Sequence, residues 1–351
     1  MTTLKEIAQM CGVSPSTVSN ILNGKPKVSE ATKKRVLDVI KETGYQPNYF
    51  AQGMRKQKTR IIGVLAEDLD QFSSPGVIEG IMSYCEQRNY RTILENMRLY
   101  QRWGNTWFDQ EKKYNSILKP AMQQLLSIKV DGIIYVAGHA RNISCFPEDF
   151  ELPGVIAYGY SRSLKFPSVV IDDEKAAYDA TRYLIDKGHR KIGVITGVIS
   201  NIHTQKRTLG YQKALYEERI LFNPKLVLNG NWTRTSGYEA VPALLAEGIT
   251  AIFCMNDIMA AGVYDYLYEH NLVPGKDISV IGYDNREPAA YLRPQLTTME
   301  IPLMTIGEKA AEAMLDILET EDEVQTTERN LEAVEIPVDC HLVERNSVEP
   351  I

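Results

Sequence analysis

Hydrophobic spacing changes character about sixty residues into the chain. In the first stretch apolar residues recur at helical intervals: Leu4, Ile7, Ala8 and Cys11, then Val18, Ile21 and Leu22, then Val36, Val39 and Ile40. Positions three and four apart share a helix face, so each set predicts one amphipathic helix. Thr3 and Glu6 stand at capping-box spacing, Ser14 precedes Pro15 at a helix start, and Ser29 precedes Glu30. Gly12, Gly24 and Gly44 suit the residue past a helix end. The pattern predicts a helix-turn-helix with a third helix behind it over residues 1–46, followed by a helix-capable linker over 47–60.

From Ile61 onward the spacing becomes short apolar runs alternating with helical stretches. Ile61–Leu65, Thr92–Leu94, Gly132–Val136, Gly154–Ala157 and Val169–Ile171 predict buried strands, with helices near 76–88 and 110–127. The pattern restarts with strands Ile192–Thr196, Ala251–Cys254 and Ile278–Ile281 among helices near 175–187, 204–218, 236–246 and 258–270. Such alternation predicts doubly wound parallel sheets, and the restart near residue 170 predicts two lobes. In these folds ligands lie at the carboxyl ends of strands and at domain interfaces.

Charge adds a partner to this picture. Residues 1–60 hold eleven Lys and Arg against four acidic residues, a net +7; the chain carries −6, which leaves −13 on the remainder. A basic head on an acidic body fits a polyanion-binding module joined to a body that binds none. With the helix pair, the polyanion is DNA. Pro15, Ser16, Thr17, Ser19 and Asn20 form the outward face of the second helix. An Asn there suits a paired contact to adenine, and a Ser bonds several bases.

Composition narrows the rest. At 351 residues, with 44% apolar and 24% charged residues, the body reads as ordinary globular protein. No apolar run reaches the ~18–20 residues of a membrane span, and no leader-like stretch precedes Leu4, so the expected location is cytoplasmic. The five cysteines are scattered without a CxxC, which suggests reduced thiols and no metal site. No G-x-S-x-G, P-loop or paired-carboxylate constellation appears, so neither an enzyme nor a cofactor is expected.

Several segments together resemble the LacI/GalR (lactose/galactose repressor) family of transcription regulators. They are Leu4–Ala8 with Val13-Ser14 and Thr17–Ser19, Tyr45–Asn48, Gly188–Ile192, Arg207–Tyr211, Asn256–Ala260, Val280–Asp284 and Arg293–Thr298. The resemblance spans nearly the whole chain. It implies a sequence-specific DNA-binding repressor, a homodimer or tetramer, whose heads read a near-palindromic operator. It also implies a periplasmic-binding-protein-like α/β core of two lobes joined by three chain crossings. The first lobe would hold about 61–170 and 298–330, and the second about 171–297 and 336–348. In the hinge, Met54 takes the place of the residue that wedges into the minor groove, beside Arg55, while Gly53 departs from the family pattern and weakens a helix there.

The resemblance further implies an effector, a mono- or oligosaccharide, between the lobes. Asp284 matches an acceptor of sugar hydroxyls, Arg207 and Asn256 match polar contacts, and Trp232 matches an aromatic packed on the ligand. The bland readings remain open: Asp284 and Asn256 as turn formers, Arg207 in a surface ion pair, Trp232 in a core. Phe72, Ser73 and Asp172 are further cleft candidates, with Tyr160 and Arg162 behind them. The aromatic segment Met97–Lys119 is unusual for the family, and is either a lid over a larger sugar or packing against its own lobe. Rival readings are a corepressor-type regulator with a non-sugar effector, and a sugar sensor with weak DNA binding.

Overall fold

A computed structural model describes residues 2–22, 28–45, 58–108, 110–147, 149–163, 165–323 and 335–351. The chain divides into two compact units, Met1–Thr59 and Arg60–Ile351. In the first, α1 (Leu4–Met10), α2 (Pro15–Leu22) and α3 (Glu30–Thr43) follow the apolar spacing. The capping box is formed in both directions, with the Thr3 N–H donating to the Glu6 carboxylate and the Glu6 N–H to the Thr3 hydroxyl. Ser14 and Ser29 accept from the Thr17 and Thr32 N–H groups, and Gly44 ends α3 with φ of 62°. Ile7, Ala8, Cys11, Val18, Ile21 and Val36 close a small common core. The expected hinge, Gly53, Met54 and Arg55 included, lies outside the described residues.

The second unit holds two six-stranded sheets. The first contains β1 (Ile61–Ala66), β2 (Arg91–Asn96), β3 (Gly132–Val136), β5 (Gly154–Ala157), β7 (Ser168–Ile171) and β13 (Glu335–Val338), in the order β13-β7-β5-β3-β1-β2 and parallel throughout. The second contains β8 (Ile192–Thr196), β9 (Val227–Asn229), β10 (Ala251–Cys254), β11 (Ser279–Asp284), β12 (Thr297–Glu300) and β14 (His341–Val343), in the order β14-β12-β11-β10-β8-β9. Only its β12–β14 pair is antiparallel. A short ribbon joins β4 (Asn142–Ile143) to β6 (Tyr160–Ser161). Fully buried strands such as Gly132–Val136 explain the unbroken apolar runs, because helices cover both faces.

Helices α4 (Ser74–Gln87), α5 (Leu99–Trp103), α6 (Glu111–Ser127) and α11 (Leu303–Glu323) flank the first sheet. The second carries α7 (Asp173–Asp186), α8 (Ile202–Glu217), α9 (Arg234–Ala246) and α10 (Asp257–Glu269). Helices α4 and α11 cross backbone to backbone: a Cβ on Gly80 would lie 2.0 Å from the Met304 carbonyl oxygen. No helix among the described residues is long and apolar enough to cross a membrane.

The lobe boundaries differ from the sequence expectation at two places. Residues 298–300 belong to the second sheet as part of β12, and residues 336–338 to the first as part of β13. Thr297-Thr298-Met299-Glu300 lacks an apolar run, because its buried polar groups bond inward: the Thr298 hydroxyl to Asp257, and the Thr297 N–H to Ser347. Pro337 is accommodated because β13 is an edge strand, where a missing N–H leaves no ladder bond unmade. The chain passes between lobes at Asp172, at Ile301-Pro302 and at Asp339-Cys340. The aromatic segment folds onto its own lobe: Trp107 is buried with Met97, Leu99 and Tyr100, and stacks on Tyr114. The lid alternative is set aside for that ring.

Candidate functional site

Two surfaces carry polar groups that their own folding does not consume. On the head, α2 buries Val18 and Ile21 and leaves Pro15 and Ser16 exposed, with Thr17, Ser19 and Asn20 half-buried. The Ser14 hydroxyl bonds the Ser16 and Thr17 hydroxyls at 2.7 and 2.8 Å, which fixes the start of the helix and the direction of its outer edge. Such an edge offers hydroxyls and one amide to a groove of bases.

On the body, the second-lobe wall is built around Asp173, the first residue of α7. Its carboxylate is fully buried and accepts from Arg207 Nε at 2.7 Å, from His203 Nδ1 at 2.6 Å and from the Tyr283 hydroxyl at 3.3 Å. Against the cost of burial, His203 and Arg207 hold this carboxyl below its ordinary value. Arg207 is 1% exposed. Its guanidinium lies 3.5 Å from the Tyr283 ring centre and 6.0 Å from that of Trp232. Burial opposes the charge on Arg207 and Asp173 restores it, so the cation stays ionised. The Trp232 ring rests on Gly197, where any Cβ would strike it.

At the end of β11 the backbone turns through two left-handed residues, Asp284 (φ 107°) and Asn285 (φ 54°). Strain of this kind persists where surroundings over-determine it, and it clusters at functional sites. Asp284 accepts from Arg286 Nε at 2.9 Å, and the Arg286 N–H donates to Asp257 at 2.7 Å. Burial and the Asp284 charge push the Asp257 carboxyl up to about 7. Asp284 is raised as well, by burial, with Arg286 and Arg207 opposing.

The first-lobe wall faces it across a cleft. The Arg286 guanidinium stacks 4.1 Å above the Phe72 ring, and the Ala140 N–H reaches His203 Nε2 at 3.4 Å. Behind Phe72, the fully buried Glu67 accepts from the Tyr135 hydroxyl at 2.8 Å, the Gly138 N–H at 2.8 Å and the Tyr100 hydroxyl at 3.3 Å. It also pairs with Arg141, whose guanidinium lies 4.5 Å from the Trp107 ring centre and 5.2 Å from that of Phe108.

The expected residues divide on inspection. Asp284, Trp232 and Phe72 lie along the lobe boundary, tied there through Arg286 and Arg207, while Arg207 itself is buried with Nε on Asp173 and Nη1 on the Met255 carbonyl. Asn256 is committed to structure, capping α10 through the Met259 N–H and donating to the Trp232 carbonyl. The Ser73 hydroxyl is bonded to the Gly138 carbonyl, and Asp172 caps α7 through the Lys175 N–H. Tyr160 lies under the Lys206 ammonium, whereas Arg162 points outward. Asp173, Glu67, Arg141 and Arg286 were not singled out by the sequence reading. A charged residue directly after a buried strand was the available signal for Glu67.

Comparison with known proteins covers both units. Residues 3–48 match the family model described as bacterial regulatory proteins, lacI family, and residues 181–348 match a periplasmic binding protein-like domain. The HTH-type transcriptional repressor PurR of Aliivibrio fischeri is 32% identical over 328 residues, 92% of this chain and 93% of the relative. The ribose operon repressor of Haemophilus influenzae is 30% identical over 325 residues, 92% and 94% of the two chains. The lac repressor dimer bound to operator and the anti-inducer ONPF superposes with a TM-score of 0.77 at 24% identity, over 99% of each chain. At that identity it speaks for the fold alone.

Proposed function

This chain belongs to the LacI family of DNA-binding transcriptional regulators, and from that membership we propose that it represses carbohydrate-utilisation genes under the control of a sugar held between its lobes. The observation that carries the reading is the convergence of Asp284, Arg207 and Trp232 on one wall with Phe72 opposite. A sugar asks for this mixture: planar polar groups for hydroxyls and aromatic faces for the C–H surface of the ring. That the ribose operon repressor is among the relatives supports the same class.

In this reading a homodimer sets two heads on a near-palindromic operator. Asn20 reads a base edge, Pro15, Ser16, Thr17 and Ser19 line the groove, and Met54 and Arg55 engage the hinge's stretch of DNA. Asn256, Ser73 and Asp172 shape the cleft rather than touch ligand. Ligand shifts the lobes only by the difference between its affinities for two arrangements, typically ~1–3 kcal/mol.

The test has two arms. Titrating a palindromic duplex at several salt concentrations separates sequence preference from phosphate attraction. Asn20→Ala is expected to lose about 1–3 kcal/mol of discrimination at one base position and to leave the salt slope unchanged. A thermal-shift screen of sugars against wild type and Asp284→Ala tests the effector: no stabilisation of the wild type by any saccharide rejects the sugar.

A further inference from the structure

The acids that face the cleft are almost fully used by the protein's own donors, while the guanidiniums beside them are not. Asp173 takes Arg207, His203 and Tyr283. Asp257 takes the Thr298 hydroxyl and the Arg286 N–H. Glu67 takes two tyrosines, the Gly138 N–H and Arg141. The surplus therefore lies on the donor side. Arg141 Nη1 is buried and meets no acceptor among the described residues. Arg286 spends Nε on Asp284 and leaves both terminal nitrogens without a protein acceptor among them. Its guanidinium carbon lies over the Phe72 ring, 4.1 Å from the centre, which places those nitrogens at the lobe boundary.

Resting on the sugar reading above, we propose that the cleft selects a sugar carrying an anionic oxygen group, a carboxylate or a phosphate, and that Arg286 is the residue that reads that group. A guanidinium edge with two unspent donors matches two oxygens of a carboxylate or phosphate, and charge-assisted bonds of this kind exceed those to a neutral hydroxyl. Arg286 also occupies Asp284 Oδ2, so a neutral sugar seeking both carboxylate oxygens would first have to dislodge it.

The experiment uses the full chain and matched ligands: glucose, glucuronate and glucose 6-phosphate; galactose, galacturonate and galactose 6-phosphate; ribose and ribose 5-phosphate. Calorimetric titration at low salt is expected to give at least one acid or phosphate an affinity about tenfold or more above its neutral parent, in keeping with a charge-assisted pair. The carboxylate and phosphate arms separate the two groups. Arg286→Gln is expected to erase the difference, the acid or phosphate losing about tenfold while the neutral parent, with Asp284 Oδ2 released, binds as well as in wild type or better. Arg286→Lys, which keeps the charge and loses the fork, is expected to retain part of it. If Arg286→Gln does not fold, an unchanged preference in Arg286→Lys overturns the proposal. Equal or tighter binding of the neutral parent by wild type overturns it while sparing the sugar reading, as does a preference that survives Arg286→Gln. Binding of no saccharide overturns both.

Discussion

The two walls of the cleft solve one problem with different materials. Each sets a guanidinium against aromatic rings beside a fully buried carboxylate: Arg207 with Asp173, Tyr283 and Trp232 in the second lobe, Arg141 with Glu67, Trp107 and Phe108 in the first. An aromatic ring beside a guanidinium leaves the cation's N–H edge for hydrogen bonding and limits how far it swings. The walls differ in how far they finish the job. Arg207 is almost wholly desolvated, with Nε and Nη1 bonded. The Arg141 side chain keeps 21% of its exposure and one nitrogen with no acceptor. The second wall is the more completely bonded of the two, and the first draws its rings, Trp107 and Phe108, from the aromatic segment.

This contrast can be broken in order of size. Asp173→Asn strands a desolvated cation and is expected to destabilise the body by about 3–5 kcal/mol, the cost of breaking a buried pair, in urea denaturation. Glu67→Gln strands a cation that water still reaches, so about 1–3 kcal/mol is expected. Equal losses at the two positions would abolish the distinction between the walls.

A third test uses a feature found in only one wall. Asp257 keeps its proton up to about pH 7 when folded, while its ordinary value is 3.8. Its contribution to stability is therefore fully present below about pH 4 and drains away as pH climbs to 7. The melting temperature of wild type relative to Asp257→Asn should fall across that window, and a flat difference would remove the carboxyl from the account. Smallest of all, Tyr283→Phe deletes a 3.3 Å bond to Asp173, and about 1 kcal/mol or less is expected in the same denaturation.

The contrast also explains what could be read from residues alone. Strands, helices and caps were legible because burial on both faces, helical spacing and capping chemistry are local. Asp284 stood out as a polar residue at a strand end, whereas Arg207, in the middle of helix α8, was marked only by the family resemblance of Arg207–Tyr211. Asp173 did not, since Asp172-Asp173 opens a helix and only three-dimensional packing decides that the first caps while the second goes inward. Arg141 was hidden because its partners come from residues 67, 107 and 108, and no spacing rule relates them. Strand Thr297–Glu300 escaped because its buried hydroxyls look like a loop until Asp257 and Ser347 are seen beside them.

The three crossings between lobes have a consequence for how the body is made. Its first sheet ends on residues 335–338 and its second on 341–343, whereas their neighbours in those sheets, β7 and β12, end at Ile171 and Glu300. Synthesis runs from the N-terminus, so both sheets lack one edge strand until residues 335–343 have emerged. An interruption of synthesis just short of Glu335 would yield not one finished lobe but two that each lack an edge strand, baring β7 and β12 as templates for pairing with another chain. The lobes are separate in space but are completed together in time.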